Sequence, residues 1–302
     1  MPLRSQVHVD ELLSNVSIKH RNENYNAFNI FPEVAVKNSS DVYRVYNRDF
    51  RIPETKRASK AEAREHTFYV STATYVCEEH GLKDHVGDSE ARNYDVSDLR
   101  AETTMELTNK ILLRLERTVA RLFTTTAWSQ SLSLAAAANW TDTTTSNPIS
   151  HFDTGSVQIV QNSGMFPNYL LFGHDSWNGF KNNANVLDRI KYTSKDVDQN
   201  IAAGLIGVKD VYMSYSVEDT APQDATATSI SGLWADKAFL GYKPPSPGLL
   251  QPSTGYIFRV NVPMVKRWRV EERAAEAIEV NMEYSAKVIS SFCGFLINNT
   301  VS

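Results

Sequence analysis

The sequence predicts an α+β protein, on three observations. One long amphipathic helix is predicted over residues 98–123. Runs rich in β-branched and aromatic residues stand on both sides of it in the chain, at 42–46, 67–76 and again from 256 onward. Between about 166 and 250, short apolar runs alternate with helical segments.

The helix is the clearest element. Ser97 is the predicted N-cap, and Asp98 and Glu102 suit the positive end of the helix dipole. Met105, Leu112, Leu115, Val119 and Leu122 fall in one sector and form the predicted buried stripe. Lys110, Arg114, Arg117 and Arg121 step along the opposite face. At 1.5 Å per residue such a helix is roughly 40 Å long, which makes it a structural spine.

Before it, residues 1–41 read poorly as a self-contained unit. Val9–Leu13 suits a turn of helix, residues 22–26 are polar and unpatterned, and Ile30–Val36 is predicted extended because Pro32 disfavours helix. Such an arm packs either on its own domain or on a neighbour, and both placements stay open. Residues 42–77 hold two β-prone runs, Val42–Tyr46 and Thr67–Val76, around a charged middle. That middle sets Arg48, Arg51, Lys56, Arg57, Lys60 and Arg64 against Asp49, Glu54, Glu62 and Glu65. A two-stranded ribbon is marginal alone in water, so it needs a surface, its own or a partner's.

After the helix, a Ser/Thr/Ala-rich stretch over 124–148 reads as loop and as the best internal boundary. Tyr169–Gly173 is a predicted strand, Asp175–Asn182 a helix, Asp210–Tyr215 a strand, and 232–242 contains another. Pro244–Gly248 breaks the pattern. Strands return at Tyr256–Val260, Trp268–Arg273, Ala277–Tyr284 and Ala286–Ile297.

Composition narrows the function classes. The chain has 302 residues, 42 % hydrophobic and 22 % charged, as in ordinary globular proteins. A net charge of −4 offers no basic surplus, so contact with nucleic acid would need a local basic face. No window approaches 18 consecutive apolar residues, and the start lacks the apolar core of a signal peptide. Cys77 and Cys293, far apart, suit a reducing cytoplasm.

No phosphate-binding glycine loop, metalloprotease His-Glu motif or nucleophile elbow occurs. Phe172–Ser176 carries His174, Asp175 and Ser176, but side chains adjacent in sequence do not face one another as a triad requires. Cys77 and His80 have a zinc-like spacing with His85 nearby, yet no second ligand pair exists, and a polar turn leaving the ribbon accounts for them better. No catalytic, cofactor or metal residue is assigned.

The order of parts, from extended arm and charged ribbon through spine helix and α/β unit to returning strands, resembles the Hong Kong 97-type major capsid proteins of tailed phages. Tyr75–Leu82 followed by Val86–Arg92 resembles the passage into the spine helix of that family, and Leu107–Glu116 is similar to the helix itself. Pro167–Gly173, with Trp177 and Lys181, resembles the opening of its axial domain. Trp268–Glu272 and Cys293–Ile297 resemble its closing strands. The resemblance covers nearly the whole chain.

It implies an arm over 1–41, an extended loop over 42–77, a peripheral domain over 78–165, an axial domain over 166–250, and returning strands over 251–302. Subunit contacts are then expected from Ile30, Phe31 and Pro32 of the arm and from Arg48, Arg51, Glu54, Lys56, Arg57, Lys60, Glu62 and Arg64 of the loop. Lys110, Arg114, Arg117 and Arg121 become candidates to face packaged DNA. The implied partners are further copies in pentamers and hexamers, a separate scaffold protein or none, and a portal; no membrane is implied. The expected location is the virion, reached from the host cytoplasm. Two rivals remain: an encapsulin-type shell around protein cargo, and a cytosolic α/β enzyme built on 165–242 with a pocket near His174.

Overall fold

The computed structural model describes residues 8–9, 13–14, 16–17, 25–45, 50, 52–65, 71–93, 98–135, 138–142, 146–192, 196–222, 226–249 and 251–301. Two sheets share one central helix.

The central helix runs over Leu99–Thr125. Its N-cap is Asp98, whose carboxylate accepts from the Arg100 N–H; Ser97, the expected cap, lies outside the described residues. The buried face is rotated from the predicted one. Thr104, Thr108, Ile111, Leu115, Glu116, Val119, Ala120 and Phe123 are buried, whereas Met105 is exposed and Leu112 and Leu122 are only half-buried. Two threonines explain the shift. Thr104 Oγ1 donates to the Arg100 carbonyl at 2.8 Å and Thr108 Oγ1 to the Thr104 carbonyl at 2.7 Å, so both hydroxyls are satisfied by their own helix and bury like small apolar groups.

The larger sheet contains β1 (His8–Val9), β2 (Glu33–Ala35), β5 (Glu78–Gly87), β12 (Gly255–Arg259), β13 (Met264–Val270) and β14 (Ala275–Val288). Its order is β1-β13-β14-β12-β2, with β5 along the other side of β14. The predicted runs 277–284 and 286–297 do not divide where expected. Ala275–Val288 is one strand, and the chain then crosses through a short turn at Ser291–Cys293 into the second sheet. The expected polar turn at Cys77–His85 is likewise a strand: β5 pairs with β14 over ten residues, from Ala275 opposite Gly87 to Tyr284 opposite Glu78. As an edge strand it tolerates polar side chains. Val9, expected in a helical turn, pairs with Lys266 as strand.

The smaller sheet runs β6-β15-β11-β7-β8, built from Ser131–Ser133 (β6), Tyr169–Gly173 (β7), Asp210–Ser214 (β8), Ala238–Gly241 (β11) and Gly294–Asn298 (β15). Every residue of β7 is buried, because both faces are covered. Tyr169 and Leu171 join Ile111, Leu115, Val119 and Phe123 of the central helix and Ile278, Val280 and Met282 of the larger sheet in one core. Leu170 and Phe172 face a second core with Ile149, Phe152 and Ile159 of helix Pro148–Ser163, Trp177 and Phe180 of helix His174–Asn182, and Ala202 and Ile206 of helix Gln199–Ile206.

The segment from residue 25 settles one open placement. Ala27–Ile30 is a helical turn that takes in only the first residue of the run expected extended, and β2, inside that run, pairs in parallel with β12. Ile30 and Phe31 are both 0 % exposed within this subunit, and Phe31 packs on Phe123 at 5.0 Å between ring centroids. Gly255 is required opposite it, since a Cβ there would lie 2.3 Å from the ring. The segment therefore folds back on its own core. Ile30 and Phe31 have no surface left to give a neighbour, which corrects the contact expected of them; Pro32 is half-buried and its carbonyl accepts from the Ile257 N–H.

Candidate assembly surfaces

The ribbon is paired at its base. β3 (Ser40–Val45) and β4 (Ser71–Val76) pair antiparallel, Ser40 opposite Val76 and Val45 opposite Ser71. Tyr43 and Tyr75 anchor this base on the larger sheet, their rings 5.4 and 4.5 Å from that of Phe258. Cys77 is buried beside them with its thiol donating to the Phe258 carbonyl at 3.6 Å, and burial pushes its pKa up to about 11. The thiol therefore stays protonated near neutral pH and packs beneath the base of the ribbon.

Beyond the base, residues 52–65 form no strand and are all exposed. Glu54, Lys56, Arg57, Lys60, Glu62 and Arg64 stand in solvent; Arg48 and Arg51 lie outside the described residues. Lys60, at φ +67°, sits at the tip, where the Ala61 N–H donates to the Ala58 carbonyl. Among the described residues, the predicted ribbon comprises a six-residue ladder at its base and an irregular charged excursion over 52–65.

The basic residues of the central helix do not form one uniform row. Lys110, Arg114 and Arg121 are exposed, whereas Arg117 is ion-paired to Glu218 at 2.6 Å. Arg114 also lies near His80 of β5, whose ring packs at a tilt on Tyr284 with centroids 4.4 Å apart. Burial and then the Arg114 charge hold the His80 pKa below its usual value.

Sequence reading missed Glu116. Its carboxylate is fully buried and accepts four hydrogen bonds: from the N–H groups of Asn26 (3.0 Å) and Ala27 (2.7 Å), from Trp234 Nε1 (2.9 Å) and from Ser216 Oγ (3.3 Å). Burial raises its pKa, and the four donors oppose that rise. One side chain thereby fastens the N-terminal segment and the second sheet's flank to the central helix. An acidic residue between two leucine-rich turns gives no local hint of this, because its donors lie about a hundred residues away in both directions.

The residues weighed for chemistry do not converge. Ser176 is buried with its hydroxyl bonded to Thr300 Oγ1 at 2.6 Å, while His174 is exposed and contacts Asn178. Among the described residues no three His, Cys, Asp or Glu side chains are grouped to hold a metal. No helix among them is long and apolar enough to cross a membrane.

No family model matches the chain, and no curated protein matches it in sequence. Solved structures do match it. A phage-related protein from Bordetella bronchiseptica RB50 superimposes with a TM-score of 0.78, covering 97 % of both chains at 21 % identity. The capsid of cyanophage P-SCSP1u follows the same path at 0.58, over 89 % of this chain and 85 % of its own, at 11 % identity. The chain has the Hong Kong 97-type capsid fold. A virus-like particle from Pyrococcus furiosus shares this capsid fold at a TM-score of 0.59 over 95 % and 96 % of the two chains, at 10 % identity. Identities this low concern the fold, and the capsid fold here spans nearly the entire chain.

Proposed function

We propose that this chain is the major capsid protein of a tailed bacteriophage, which self-assembles through pentamers and hexamers into an icosahedral head around packaged double-stranded DNA. One observation carries the reading: a chain with the capsid fold along nearly its whole length projects a charged excursion, residues 52–65, that is exposed throughout. Ordering such a segment costs conformational entropy, which a neighbouring copy would offset. A standard interface buries about 1,600 Å². Many contacts of that size, linked in a closed shell, act together although each alone is modest.

In this reading residues 42–77 are the extended loop, 78–165 the peripheral domain, 166–250 the axial domain and 251–302 the strands returning to both. Lys110, Arg114 and Arg121 would meet DNA phosphates without sequence preference. A separate scaffold protein and a portal would be the partners in assembly, and the virion the final location. The role is structural, with no catalytic step.

Electron microscopy of the purified protein is the direct test, with closed shells expected and persistent monomers rejecting the role. Particles recovered from the natural source are expected to hold double-stranded DNA. Protein cargo in its place would assign the chain to an encapsulin-type compartment.

A further inference from the structure

The strand that leaves the smaller sheet has its polarity reversed. Ser214, Ser216 and Glu218 turn into the subunit, while Tyr215, Val217 and Asp219 turn out. The inward row is bonded in place. Ser214 and Ser216 share a hydrogen bond of 2.6 Å, Ser216 reaches Glu116, and Glu218 pairs with Arg117. β9 (Val217–Asp219) then pairs with β10 (Ile230–Gly232), Ile230 opposite Asp219 and Gly232 opposite Val217. Residues directly opposite share a face, so Ile230 joins Val217 on the outward side. Tyr215, Val217 and Ile230 are 46, 54 and 69 % exposed.

Two-stranded ribbons are ordinarily held by their apolar face. This one is held by its polar face and pinned at its loop, where the Asp219 carboxylate accepts from the N–H groups of Ala221 and Ser229. An ordered apolar face with its polar side already satisfied marks a surface for a partner.

Charge selects the partner. Residues 215–232 contain no Lys or Arg, and while Glu218 is turned inward to Arg117, Asp219 stands on the outward face. Residues 50–65 carry five cations against three acids, a net charge of +2, and among them Ile52 is 95 % exposed. We propose that the outward face of hairpin 217–232 seats residues 50–65 of a second copy, with Ile52 on Val217 and Ile230 and the excursion's cations toward Asp219. The proposal rests on the shell-forming role above and adds where the excursion lands.

The test uses full-length protein carrying Ile52→Cys and Ile230→Cys together. Both native cysteines are buried and do not compete. Mild oxidation of assembled shells is expected to link subunits into a ladder on non-reducing gels, with no ladder from either single variant. In parallel, Ile230→Lys is expected to lower shell yield at least tenfold while leaving the subunit folded by circular dichroism, and adding Ile52→Glu is expected to restore it. Shells that form without linkage or without rescue overturn the seat. Linkage from Ile230→Cys alone also overturns it, in favour of hairpin meeting hairpin. Unmodified protein that stays monomeric rejects the shell-forming role itself, and the seat with it.

Discussion

Glu116 and Glu54 both lie in segments dense with charge, yet one is fully buried under four donors and the other stands in solvent, its carboxylate accepting from the nearby Lys56 N–H. The same contrast separates Phe31, packed on Phe123 with no exposed surface, from Ile52, almost wholly exposed. Inside the subunit, Glu116 is met by buried donors and Phe31 is covered by aromatic packing, so residues there hold the fold. On the excursion neither is true, and its side chains can change with little cost to folding.

The two regions should therefore separate by experiment, and the largest effect on folding is expected at the aromatic anchor. Phe31→Ala should destabilise the subunit by about 4 kcal/mol in chemical denaturation, through lost burial and the cavity left behind. A loss below about 1 kcal/mol would show that residues 25–36 are not part of the core. Glu116→Ala should cost about 3 kcal/mol, since it leaves the buried N–H groups of Asn26, Ala27 and Trp234 without an acceptor. Glu116→Gln, which keeps one oxygen, should cost less, and an equal loss would argue against the hydrogen bonds as the cause.

A smaller effect is expected from pH. Burial lowers the pKa of both His80 and His151, so the folded state favours their neutral forms. Their contribution is present above the unfolded value of about 6.5 and is lost as pH falls through the lower folded values. The denaturation midpoint should fall between pH 7.5 and 5. His80→Gln should flatten that slope, and an unchanged slope would remove His80 from the account.

The smallest effects on folding belong to the exposed charge. Lys110→Gln, Arg114→Gln and Arg121→Gln together should change stability by no more than about 0.5 kcal/mol. They should also weaken DNA retention, reducing its salt dependence by about one unit of slope per cation that meets a phosphate. Retention unaffected by the triple change would leave these residues as a solvated face. Deleting residues 49–65 should leave the unfolding midpoint nearly unchanged while abolishing shells. Normal shells from that deletion would erase the distinction drawn between the two regions.

Some of this was legible because it is local. Helix Leu99–Thr125 follows from its periodicity, and helix His174–Asn182 and strand Tyr169–Gly173 from short runs bounded by turn residues. Helix Pro148–Ser163 also carries local marks, with Asn147 as N-cap, Pro148 in its first turn and Gly164 in the left-handed conformation after it. It escaped notice because a Ser/Thr-rich run precedes it and polar residues interrupt its apolar face. The charged excursion was visible too, since composition alone sets six cations between two β-prone runs.

By itself, then, the sequence determined that the chain is α+β, where the central helix lies, and which segment would be rich in charge. Tertiary structure alone decided which helix face is buried, that Phe31 belongs to its own subunit, that Glu78–Gly87 is a strand, and that the strand after Ser214 turns its polar side inward. The reason is the range of the forces. Helical period, caps and turns are settled within a few residues. Whether a glutamate is buried depends on donors brought from about a hundred residues away, as Asn26, Ser216 and Trp234 are brought to Glu116.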